Sequence, residues 1–120
     1  MVEVIAKIES TSLGTEDHGI FTCWLHVNYG GSGQGIGGYS LDGPSGDGYG
    51  RVGSAEGMNF IMRLMDACGV DDWKKLPGRT VYVLKDSDKW GADVLGIRPL
   101  PAEPGKEFIF ADAFQNAVSA

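Results

Sequence analysis

The chain has 120 residues, 42% of them apolar and 22% charged, the make-up of a single soluble globular domain. Sixteen acids against ten bases leave a net charge of −6, which argues against sequence-independent binding to DNA, RNA or anionic membranes. No apolar run approaches the length of a membrane span, and M-V-E-V-I-A-K at the start carries charge where a signal peptide needs an apolar core. The expectation is a cytosolic protein in which Cys23 and Cys68 are buried thiols rather than a disulfide.

In chain order, Val2, Val4, Ala6 and Ile8 alternate with Glu3, Lys7 and Glu9, which predicts a half-buried strand, with Ile5 hinting that the polar face is partly covered. The polar stretch from Ser10 to Gly19 reads as a turn region. Gly19 to Tyr29 is the clearest strand: Phe21, Cys23, Leu25, Val27 and Tyr29 form a core face, and Trp24 and His26 look the other way. Ten of the nineteen glycines then fall between Tyr29 and Arg51, a density that needs turns, positive φ or close backbone approach to justify its entropy. Gly30 to Asp42 is expected to be a bent hairpin strand, pairing around Gln34 to Leu41 and lining a ligand or subunit contact. Gly43 to Gly50 is expected to be a surface loop.

A helix is predicted from Ser54, its N-cap, with Glu56 in the first turn and Gly69 as the stop. Met58, Ile61, Met65 and Cys68 set the apolar stripe, widened by Phe60, Leu64 and Ala67, while Asn59 and Arg63 share an open side. Val70 to Gly78 reads as one turn of helix capped by Asp71, with Trp73 and Leu76 as buried pegs. Arg79 to Lys85 is a strand, Asp86 to Lys89 a turn, and Trp90 to Ile97 the returning partner. Pro99, Pro101 and Pro104 are expected to prevent further regular pairing, before an apolar patch at Phe108 to Phe110 and a short helix over 112–120, with Phe114 and Val118 packing back. The sum is an α+β domain: an antiparallel sheet with one main helix packed on it.

Motifs for catalysis are missing. Gly33, Gly35 and Gly38 match G-x-G-x-x-G, yet Y-S-L-D-G-P follows where a dinucleotide site needs a helix. There is no P-loop, no G-x-S-x-G and no H-E-x-x-H. His26 and Cys23 point to opposite strand faces, so they make no local metal pair, and Asp42 to Gly50 misses the spacing of a calcium loop. No metal, cofactor or catalytic residue is therefore expected. Arg51 is the stronger signal, an arginine just ahead of a capped helix start, where Gly53 and Ser54 add backbone N–H groups that favour an anion. A salt bridge to one of the acids is the competing role for Arg51. Trp24, Tyr39, Tyr49 and Trp90 are candidates to stack a planar base, or else core or subunit contacts.

T-S-L-G-T-E-D-H-G-I-F-T-C-W-L-H, Y-G-G-S-G-Q-G-I-G-G-Y-S-L-D, R-V-G-S-A-E-G-M-N-F-I and G-V-D-D-W-K-K-L-P-G-R together resemble a family of small phage and prophage proteins. The resemblance covers roughly Lys7 to Val83, is most specific in the glycine-tyrosine block, and extends to the first-described type of Thoeris anti-defence protein. It implies a homo-oligomeric sponge that holds a cyclic ADP-ribose-type immune signal, or a cyclic oligonucleotide, without cleaving it in the host cytoplasm. Beyond about Lys85, with the proline-rich segment, the chain departs from the family pattern, and no family pocket residue carries over by number. The candidate ligand-binding set of Trp24, Tyr39, Arg51, Gly53, Ser54, Asn59, Arg63 and Trp90 rests on side-chain chemistry alone. The alternative expectation is a protein-directed inhibitor of a host nuclease or defence effector, its acidity imitating nucleic acid. Against that, the acids are scattered rather than grouped.

Overall fold

A computed structural model describes residues 1–114 and has the α+β architecture expected from the sequence: a six-stranded antiparallel sheet with one main helix packed on it. The strands are β1 (Val2–Thr15), β2 (Phe21–Asn28), β3 (Gly33–Gly37), β6 (Thr80–Lys85), β7 (Val94–Pro99) and β8 (Phe108–Ile109), in the order β3-β2-β1-β6-β7-β8. A separate hairpin of β4 (Asp42–Pro44) and β5 (Arg51–Gly53) leads into helix α1 (Ala55–Cys68). Among the described residues, no helix is long and apolar enough to cross a membrane.

β1 organises the sheet. Its first half, Val2 to Lys7, pairs with β6, and Lys7 to Thr15 pairs with β2. A bulge between Ile8 and Ser10 marks the change, and the extra residue switches which positions face inward. Ala6 and Ile8 are buried before it. After it Thr11 accepts a hydrogen bond from Trp73 Nε1 at 3.1 Å. The expected turn over Ser10 to Gly19 is thus mostly strand, because cross-strand partners supply the pairing that its polar sequence does not advertise; the turn proper is a short 3-10 segment, Asp17–Gly19. Ile5 is exposed, so the outer face is open there.

The core is built from the inward rows of the strands. Cys23, Leu25 and Val27 from β2, Val81 and Val83 from β6, Ile97 and Phe108 are all buried, as expected for the first three. Phe60, Leu64, Ala67 and Cys68 of α1 close this layer. The helix stripe is rotated from the expected one: Met58 is exposed, and Phe60 and Leu64 take the centre. Gly57 explains the rotation, since a Cβ there would collide with the Leu41 backbone, so this side of the first turn packs directly on Leu41. Ser54 accepts from Gly57 N–H at 2.9 Å, and Gly69 ends the helix at φ 75°. Asp72, not Asp71, caps the next turn, because its carboxylate accepts from Lys74 N–H, while Asp71 pairs with Lys75; Leu76 is fully buried and Trp73 partly.

β7 starts later than expected, at Val94, and runs through Pro99, which sits opposite Val81. Proline is tolerated there as the last residue of its strand. Trp90 is left in the turn. Residues 110–114 form a 3-10 segment whose Phe114 packs back against Tyr39 and Phe60; the remainder of the expected helix, with Val118, lies outside the described residues.

Candidate functional site

The glycine block does two separate jobs. Gly33–Gly37 is β3, and Gly38 to Leu41 continues beside β2 irregularly, with Gly38 N–H donating to Cys23 O at 3.0 Å and Leu41 N–H to Phe21 O at 2.8 Å. Gly38, at φ 80°, lies under the Trp24 ring, where a Cβ would sit 2.5 Å from Cζ2. The expected surface loop from Gly43 to Gly50 is shorter than predicted: both its flanks pair in β4–β5, and residues 45–50 form the tip. This hairpin brings Asp42 and Arg51 face to face.

Arg51 Nε donates to Asp42 Oδ2 at 2.9 Å and Nη2 to Oδ1 at 3.0 Å, a bidentate pair. The Asp42 side chain is 8% exposed, and that of Arg51 32%. The guanidinium hydrogen bond, helped by Phe21 N–H and the Ser40 hydroxyl, holds the Asp42 pKa down at about 2. Asp42 in turn raises that of Arg51. The salt-bridge role weighed for Arg51 is therefore realised, yet Nη1 takes no part in it. A guanidinium pinned by one edge keeps its other edge available to an anion.

Arg51 borders a cleft of about 390 Å³ between the hairpin and α1. Arg51, Gly53 and Ser54 line it, together with apolar walls from Phe21, Val52, Met58 and Ile61. Ser54 is fully engaged within the protein: its hydroxyl donates to Leu41 O at 3.2 Å while accepting from Gly57, and its N–H also donates to Leu41 O. It shapes the rim rather than offering a free donor.

The other candidates lie elsewhere. Trp24 and Tyr39 border a cavity of about 400 Å³ beside β3. Trp24 Nε1 donates to Glu16 Oε1 at 3.0 Å, and the Tyr39 ring packs 5.3 to 5.9 Å from those of Phe60, Phe110 and Phe114. Asn59 and Arg63 sit further along α1, beside Asp66 and Asp112, with the Arg63 guanidinium 4.4 Å over the Phe108 ring. Trp90, 88% exposed, borders a fourth cavity. The eight residues thus divide among four cavities: Arg51, Gly53 and Ser54 share one, Trp24 and Tyr39 a second, Asn59 and Arg63 a third, and Trp90 borders the fourth without any of the others. Periodicity places Phe21, Met58 and Ile61 in the core, and the sequence offers Asp42 only the spacing of a failed calcium loop. An acid nine residues before an arginine, across a Ser-Gly-Asp-Gly-Tyr-Gly tip, is the available signal for the pair.

Cys23 and Cys68 are free and buried, and burial pushes their thiols up to about 11 and about 12. Among the described residues, no three His, Cys, Asp or Glu side chains gather as a metal site. Compared with known proteins, the chain matches no family model, no curated sequence and no solved structure.

Proposed function

We propose that the protein is a non-catalytic binding protein that sequesters a phosphate-bearing cyclic nucleotide of the cyclic ADP-ribose type, serving as a phage counter-defence sponge. The observation that carries the binding site is the half-pinned Arg51 guanidinium at the edge of an apolar cleft beside a helix N-terminus. Arg51 Nη1 meets a phosphate, and Phe21, Val52, Met58 and Ile61 receive the base or ribose. The cleft volume falls within the ~300–1,000 Å³ usual for small-molecule sites. The nature of the ligand comes from the resemblance of the glycine-tyrosine block, which also implies a homo-oligomer. Val52 and Met58, exposed at the cleft, and Met62, exposed one turn further along α1, are the surface that such an assembly covers.

The test is calorimetric titration with cyclic ADP-ribose, followed by mass spectrometry of the ligand released on heating. Wild type is expected to bind and return it intact. Arg51→Ala is expected to lose about 1.5–3 kcal/mol, roughly 10- to 150-fold in affinity, with oligomeric state and fold unchanged. Normal binding by the variant, or a cleaved ligand, overturns the assignment. The exposed Tyr49, Val52, Met58 and Met62 also favour a second reading, a protein-directed inhibitor. Size-exclusion with host extract separates the two, because a sponge elutes without a host partner.

A further inference from the structure

The inward row of β6 runs Val81, Val83, Lys85. The two valines are fully buried, and Lys85, at the end of the row, is only 7% exposed. Lysine is almost never buried to that extent without a partner. Among the described residues Lys85 forms no ion pair and no side-chain hydrogen bond; its ammonium lies 4.8 Å from the Tyr29 ring centroid. The ring face attracts the charge but leaves three N–H donors without an oxygen acceptor.

A cavity of about 210 Å³ opens at this point, bordered by Tyr29, Gly33, Gln34, Lys85, Trp90 and Gly91. Its walls are fixed by a relay. Tyr29 Oη donates to Gln34 Oε1 at 2.7 Å, and Gln34 Nε2 donates to Ala92 O at 3.2 Å, tying β3 to the β6–β7 turn. Gln34 makes no hydrogen bond to Lys85. Trp90 stands at the rim with almost all of its surface in water.

We propose that this cavity is a small oxyanion site, in which Lys85 supplies charge and hydrogen bonds to a carboxylate or phosphate group and Trp90 contacts the remainder of the molecule. It is distinct from the Arg51 cleft, which adjoins Phe21 at the opposite end of β2. The site does not depend on the nucleotide reading. A lysine only 7% exposed and without an ion pair, at the border of a cavity in a chain of net charge −6, offers an entering anion a charge to neutralise.

The experiment is an amide and indole NMR titration of the whole chain with sodium acetate and, separately, sodium phosphate, with ionic strength held constant by sodium chloride. Saturable shifts are expected at the Gly33 and Gly91 amides and the Trp90 indole N–H with at least one anion, and the anion that acts identifies the group. Lys85→Met keeps the length and the inward row apolar, and is expected to weaken the effect roughly tenfold or more. Trp90→Ala, in an exposed turn that cannot compromise the core, provides a second variant with weakened binding. The absence of saturable shifts with both anions overturns the site. Unchanged titrations in Lys85→Met or Trp90→Ala overturn it equally.

Discussion

The Arg51–Asp42 pair couples the candidate site to acid. Asp42 sits at about 2 in the folded protein against an ordinary 3.8, with the Arg51 hydrogen bond as the largest cause. A carboxylate depressed on folding stabilises fully above its unfolded value, and that contribution is lost as pH falls through the folded one. Thermal melts of wild type are therefore expected to drop more steeply between pH 4 and pH 2 than those of Asp42→Asn. Asp47 and Asp71 are also lowered, by bonds from Ser45 and Lys75, and contribute acid sensitivity that both proteins share. Parallel melting curves would assign the pair no role in stability. Arg51 was legible from its position before Ser54; Asp42 was not, because nine residues separate the two and only the β4–β5 ladder brings them together. Lys85 shows the opposite case. Its parity with Val81 and Val83 places it inward, but a strand-end lysine ordinarily reaches for solvent.

At the scale of elements, the glycines separate into those the packing requires and those it does not. Gly38 combines positive φ with a Trp24 ring where its Cβ would go, whereas Gly43, in β4, has no positive φ and nothing within 4 Å. Gly38→Ala is expected to cost more than ~1 kcal/mol in urea melts, and Gly43→Ala to be neutral or slightly stabilising. Equal effects would mean that the block is uniformly slack. α1 shows how far pattern reading goes. Ser54 and Gly69 were recognisable because caps are local chemistry, and Ser54→Ala is expected to cost about 1 kcal/mol by the same measurement. The buried stripe was misplaced because Met58 and Phe60 are both apolar enough to sit in a core. Only the close approach of Gly57 to Leu41 decides which faces inward.

Over the whole molecule, alternation in β2 revealed the inner layer, but the long span of β1 and the pairing of Pro99 depended on partners far away in sequence. The glycine-rich return, the helix and residues 108–114 meet in one aromatic cluster. Phe60 of α1 lies 5.2 Å from Phe108, 5.4 Å from Phe110, 5.8 Å from Phe114 and 5.3 Å from Tyr39. The same ring thus joins the glycine-rich return, the helix and the last sheet strand, and each contact spans a long loop of chain. If that cluster holds the layers together, Phe60→Ala removes contacts from all of them at once, and the cavity it leaves is expected to cost about 3–5 kcal/mol. Urea unfolding followed by tryptophan fluorescence and by far-ultraviolet dichroism tests this. Trp24 and Trp73 report β2 and the turn after α1. A single coincident transition at lower urea is the expected result. Two separated transitions would mean that the helix and the sheet unfold independently, and that the Arg51 cleft between hairpin and helix is not held by the core.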